Sequence, residues 1–187
     1  MDVIPDIPAD QLDVYTQFGI AAEVAQCVEM DASNLALAYI AAFVNTDGIT
    51  PELAEWFLAI DEDLNRKTLG QLLRSVKQFA TYGDEILETM DEALIKRNYL
   101  MHRFFPFHNF ALFSVEGRKE MIAELHEIQK KLTAAHWMLI AMGDGLLAVT
   151  GKSRGDQEGL RERLLARGKR VKIMSDVIAH PAVPLAC

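Results

Sequence analysis

The sequence predicts an all-α, up-and-down helical bundle with a long helix in its C-terminal half and a basic helical tail. Three observations predict it. Apolar residues recur at spacings of three and four along most of the chain, the period of one helix face. One such series, Met121, Leu125, Ile128, Leu132, Ala135, Leu139, Met142 and Leu146, alternates fours and threes like a bundle seam. No segment shows the strict alternation of a half-buried strand.

The elements follow in order. Residues 10–44 form a long helical pattern rich in alanine, Ala21, Ala22, Ala25, Ala32, Ala36, Ala38, Ala41 and Ala42 among them, which lets a neighbouring helix approach closely. Gly19 and the polar run Asp31-Ala32-Ser33-Asn34 interrupt its regularity. Asn45-Thr46-Asp47-Gly48 is a turn signal. Thr50 then offers an N-cap with Pro51 at the first helical position, and Leu53, Trp56, Phe57 and Ile60 supply the next apolar face. Residues 61–65 are polar and read as a loop. The pattern resumes over 68–79 with Leu69, Leu72, Leu73 and Val76, and Tyr82-Gly83-Asp84 ends it.

A helix follows from Asp84 to about Phe105, where Pro106 stops it by removing a hydrogen bond and crowding the preceding turn. A phenylalanine-rich connection over 107–115 leads into the seam helix, which starts at Gly117. Gly143-Asp144-Gly145 either kinks that helix or ends it early, and Gly151 ends it in any case. Residues 160–172 form a final basic helix. The organisation is therefore a helical bundle over 1–150 and a basic helix and tail over 151–187.

Composition narrows the class. Of 187 residues, 50% are hydrophobic and 25% charged, which suits a soluble globular protein with one sizeable core. Residues 35–44 are apolar but short of a membrane span, and the acidic N-terminus lacks a secretory layout, so no membrane association is expected. Cys27 and Cys187 form neither a disulfide framework nor a zinc spacing, which points to a reducing cytoplasm. The net charge of −8 conceals a tail with eight basic against four acidic side chains. Such a tail contacts nucleic acid or docks on the acidic body.

Chemistry concentrates in the helix ending at Phe105. On a helical wheel Arg97 shares its face with Met90, Ala93, Leu94, Met101 and Phe104. A permanent cation there must be paired or face an anion, because an unpaired buried charge is very costly. Asn98 and His102 lie four apart and stack on one edge of the stripe. Arg103 and His108 repeat the Arg–His spacing, but Pro106 between them breaks the helical geometry.

Arg-Asn-x-x-x-His on a late helix of an all-helical bundle, followed by aromatic residues, resembles the HEPN family (higher eukaryote and prokaryote nucleotide-binding domain). The opening segment from Gly19 to Glu29 and the stretch Thr68-Leu69-Gly70-Gln71-Leu72-Leu73 are similar to that family more loosely. The resemblance covers about residues 10–148. It implies a homodimer formed across the motif helices. It also implies either a metal-independent endoribonuclease of toxin–antitoxin or phage-defence systems, with RNA and an antitoxin protein as partners, or a non-catalytic binding module. Carried onto this chain, Arg97 and His102 are the catalytic pair and Asn98 their polar companion, with no metal and no cofactor.

The residue types suit that chemistry. Cleavage of RNA by its own 2′-hydroxyl needs a group that moves protons near neutral pH, which histidine supplies. It also needs a fixed cation for the charge that builds on phosphorus, which arginine supplies. The other reading of the same residues is structural. Arg97 then pairs with Glu23 or Glu29 of the first helix, and His102 is a core histidine. Glu23, Gln26 and Glu29 are otherwise orienting groups or a solvated face. His108, His126 and His136 read as structural and His180 as part of the tail. The glycines at 143 and 145 lack the Gly-Lys-Ser/Thr of a phosphate loop.

Overall fold

A computed structural model describes residues 7–42 and 50–151. The turn signal at 45–48, the basic helix at 160–172, Cys187 and His180 lie outside the described residues. Among those described the chain is all-α. The elements are α1 (Ala9–Ala42), α2 (Pro51–Leu64), α3 (Leu69–Phe79), α4 (Asp84–His102), α5 (Phe104–Phe107), a 3₁₀ turn (Ala111–Phe113) and α6 (Val115–Val149). They cluster into two compact units. The first takes residues 7–31 with Ala80–Leu139, the second residues 32–42, 50–79 and 140–151.

In the first unit, side-chain contacts set the helix directions. Asp10, Gln17 and Asp31 of α1 meet Arg118, Gln129 and His136 of α6 in ascending order, so these two helices run parallel. Phe18 meets Phe104 and Glu29 meets Arg97, so α4 runs opposite to α1. It runs opposite to α6 as well, because Glu92 pairs with Lys131 while Tyr99 and His108 lie near Glu124. The core between them is Val14, Ala21, Val24, Ala25 and Val28 of α1, Met90, Ala93 and Leu100 of α4, Phe104, and the α6 seam from Met121 to Leu139. That seam is the series read from the sequence; Met142 and Leu146 beyond it are half-buried, and Leu147 takes their place inside.

In the second unit α3 buries Leu69, Leu72, Leu73 and Val76, the four residues its periodicity marks. Thr50 caps α2 in extended conformation, its hydroxyl accepting the Leu53 N–H at 3.2 Å, with Pro51 in the first turn. Phe57 of α2 enters the core whereas Trp56 stays exposed. Tyr39 stacks on Phe79 at 5.2 Å.

Several elements depart from expectation. The α1 helix runs unbroken past Gly19 and past Asp31-Ala32-Ser33-Asn34, because Ala32 is fully buried and Ser33 nearly so. Residues 61–64 are the last turn of α2 rather than a loop. Leu64 is buried there, and Glu62–Arg66 and Asp63–Lys67 pair at i, i+4. The motif helix ends at His102, and Arg103 leaves helical geometry at φ −129°. Ending early places Pro106 in the first turn of α5, where a missing N–H goes unfelt. The α6 helix continues through Gly143-Asp144-Gly145 to Val149, so those residues do not end it early. By length and composition α6 is also apolar enough to cross a membrane, which reading the sequence run by run missed. Its seam nevertheless packs inside the first unit, and His136 on it is held by a carboxylate.

Candidate functional site

The site lies where α4 crosses α1 in the first unit. Arg97 turns its guanidinium toward α1, and its Nε stands 2.6 Å from Glu29 Oε1. The two side chains are 21% and 29% exposed, so the pair is partly shielded from water. That carboxylate oxygen is buried and accepts no hydrogen bond, so the contact is ionic and the N–H does not point along it. Arg97 Nη1 donates to Asn98 Oδ1 at 3.2 Å, which fixes the guanidinium on the helix surface beside its neighbour.

Of the two partners foreseen for a paired Arg97, the structure selects Glu29; Glu23 and Gln26 are exposed and form the solvated face. The stripe around Arg97 is correct at Met90, Ala93 and Phe104, all buried, and at Leu94, half-buried. It fails at Met101, which is exposed, because Leu100 is the residue turned into the core. Met90, Ala93 and Phe104 are covered within the chain itself, so they do not require a second copy to cover them.

Asn98 and Arg97 are therefore brought together, and His102 is not joined to them. Asn98 and His102 share the exposed side of α4 with Ile95 and Met101. His102 is the last residue of the helix, and its imidazole makes no hydrogen bond or ion pair among the described residues. An imidazole in that position can exchange protons with a bound molecule, and a guanidinium with an open edge can hold a phosphate oxygen.

Three further polar clusters support this geometry. His108 Nε2 lies 2.5 Å from Glu124 Oε2 and 3.5 Å from the Tyr99 hydroxyl. Burial and the Glu124 carboxylate push the Tyr99 phenol up to about 12. The His108 ring packs against Phe104 and Phe107 at 4.8 and 5.1 Å. His136 Nδ1 stands 2.6 Å from Asp31 Oδ2, with its other ring nitrogen buried and unpartnered. Burial raises the Asp31 carboxyl above its ordinary range, against the opposing pull of His136. Arg118 closes the set, with Nε 2.7 Å from Asp10 Oδ2 and Nη1 donating to the Leu112 carbonyl at 2.9 Å. His108 and His136 are each held by a carboxylate far along the chain, and no local spacing announces those partners.

Among the described residues no group of three histidine, cysteine, aspartate or glutamate side chains is placed to hold a metal ion. No family model matches the chain, and neither a curated protein nor a solved structure matches it. The HEPN reading therefore rests on the residues of α4 and on the all-helical fold around them.

Proposed function

We propose that the chain is a metal-independent endoribonuclease of the HEPN type, acting through Arg97, Asn98 and His102 on α4. The observation that carries the reading is the immobilised guanidinium of Arg97, tethered by Glu29 on one side and Asn98 on another, on the same helix as an exposed, unengaged His102. A cation held in place before the substrate arrives stabilises developing charge without reorganising. In this reading the RNA 2′-hydroxyl attacks the adjacent phosphorus while His102 takes its proton. Arg97 offers its open N–H edge to a non-bridging oxygen as charge builds. The 5′-oxygen leaves with a proton from a second imidazole, the His102 of another copy in a homodimer, and a 2′,3′-cyclic phosphate remains. An antitoxin protein is the partner expected if the enzyme belongs to a toxin–antitoxin pair.

The Arg97–Glu29 pair favours one second reading. A guanidinium already neutralised by a carboxylate suits a non-catalytic HEPN-like module that binds nucleotide, RNA or a partner protein along the same face. RNA incubated with the protein in EDTA separates the two. Cleavage by the wild type that is abolished in His102→Ala and sharply reduced in Arg97→Lys, with melting temperatures kept, supports the nuclease. Equally intact RNA with wild type and His102→Ala leaves the binding module.

A further inference from the structure

Residues 93–115, which carry the site on α4 and its connection to α6, include no aspartate or glutamate. With 27 acidic side chains among 187 residues, about three are expected in a run of that length. The run instead holds Lys96, Arg97 and Arg103, together with Tyr99 and five of the chain's 9 phenylalanines. Cations interleaved with rings and free of acid suit a nucleic-acid strand, which needs charge for its phosphates and flat faces for its bases.

Phe107 is the exposed ring whose setting is best defined. It is 73% exposed, so at least one of its faces is open, yet it is anchored. Its ring stands 6.2 Å from that of Tyr99 at 67° and 5.1 Å from that of His108 at 87°. Those anchors are fixed in turn, His108 at 2.5 Å from Glu124 and the Tyr99 hydroxyl at 3.5 Å from His108. Arg103 N donates to the Tyr99 carbonyl at 2.8 Å and Phe107 N to the Arg103 carbonyl at 2.9 Å, so the three residues follow one another at successive turns. The Arg103 side chain is exposed and makes no ion pair among the described residues. Tyr99 also lies one turn before His102, with about 5–6 Å between their β-carbons. An open ring, an open cation and an open imidazole gather round Tyr99.

We propose that Phe107 is a stacking platform for an unpaired base, with Arg103 on the neighbouring phosphate, so that the RNA taken by this site is single-stranded. The inference rests on the RNA reading of α4 and adds the form of RNA that the site accepts. A duplex does not fit, because its bases are already stacked on each other and the deep groove of A-form RNA is closed to side chains. A protein partner fits less well. It would need Phe107 on one surface with Phe110 and Phe113, which are also exposed, whereas a flexible strand meets rings singly.

The test is binding of labelled oligonucleotides to the full chain, read by fluorescence anisotropy. The probe is a 2′-O-methyl single strand, which lacks the hydroxyl that cleavage needs, and the same strand annealed to its complement is the duplex. The wild type is expected to prefer the single strand at least about tenfold. Phe107→Ala and Phe107→Leu should each weaken single-strand binding by about 5- to 150-fold, since leucine keeps apolar bulk without a flat face, and Phe107→Trp should retain it. Arg103→Ala should lower the slope of log affinity against log salt by about 0.7. Trp137, exposed on α6 roughly 20 Å along the helix from Glu124, is the control, and Trp137→Ala should bind as the wild type does. Equal binding by wild type and Phe107→Ala overturns the proposal. So does Phe107→Leu binding as tightly as wild type, equal affinity for the two forms of RNA, or a wild type that ignores the probe. Unmodified RNA in EDTA keeps the two readings apart. Phe107-dependent binding without cleavage retires the nuclease and leaves the platform, whereas cleavage indifferent to Phe107 retires the platform and leaves the nuclease.

Discussion

Removing Arg97 tests both halves of the site at once. Its contact with Glu29 is neither a surface pair nor a dry one, with side chains 21% and 29% exposed and no aligned hydrogen bond. Exposed pairs contribute about 0–1 kcal/mol, and breaking fully buried ones costs about 3–5 kcal/mol. The intermediate exposure and the missing alignment place Arg97→Ala at about 1.5 kcal/mol. For a chain of this size that lowers the melting temperature by about 3–6 °C. Glu29→Gln should be milder, since the amide keeps the volume, and the double variant should show a coupling of about 1 kcal/mol. The assay is thermal or urea unfolding of the four proteins of the cycle. Single effects that add to within ~0.3–0.5 kcal/mol would refute a stabilising pair. The same variants report on function: Glu29→Gln frees the guanidinium, so RNA binding should tighten while stability falls. Unchanged binding would mean that Arg97 does not face the nucleic acid.

Other perturbations have equally definite signs. Gly117→Ala places a carbon 2.3 Å from the Ala111 carbonyl oxygen, so backbone must shift; a loss of about 1–3 kcal/mol is expected in urea unfolding. Gly19 lies inside α1 with open space around its missing side chain, so Gly19→Ala should stabilise by about 0.5–1 kcal/mol, read as a higher melting temperature. Asp31 is raised by burial in the folded chain, so the fold binds its proton more tightly than the unfolded chain does. Its contribution is then fully present below the unfolded value and is lost as pH rises through the folded one. The stability of wild type relative to Asp31→Asn should therefore decline with rising pH across the upper carboxylate range; a rising difference would reverse the sign argued for burial.

Much of the fold is legible because helix periodicity is a local signal. Leu69, Leu72, Leu73 and Val76 need only the 3.6-residue period to be marked, and the Thr50-Pro51 start needs only the chemistry of an N-terminal turn. The misread places are those where a local rule meets a tertiary contact. Residues 61–64 look like a loop by polarity, yet burial of Leu64 and two ion pairs one turn apart hold the helix together. Pro106 signals a break but not its position, which Arg103 takes so that the proline falls in a first turn. The wheel through Arg97 errs by one residue, Met101 for Leu100.

The candidate site was legible as residue types and not as an arrangement, and the reason lies in how α1 is seated. Its buried side chains are mostly alanine and valine, which allow close approach but grip a neighbour weakly, because little volume interlocks. A one-turn slip along such a surface forfeits few apolar contacts. It would break Asp10–Arg118, Gln17–Gln129 and Asp31–His136 together, each pair matching one position on α1 to one on α6. Stranding half-buried charges is far costlier than sliding alanines, so the polar pairs specify register where packing does not. Glu29–Arg97 does the same between α1 and α4. Arg97 is thus a register contact first. Any role at a phosphate must use the edge of its guanidinium that Glu29 and Asn98 leave open, so substitutions that slide α1 should disable the site even where they leave Arg97, Asn98 and His102 untouched.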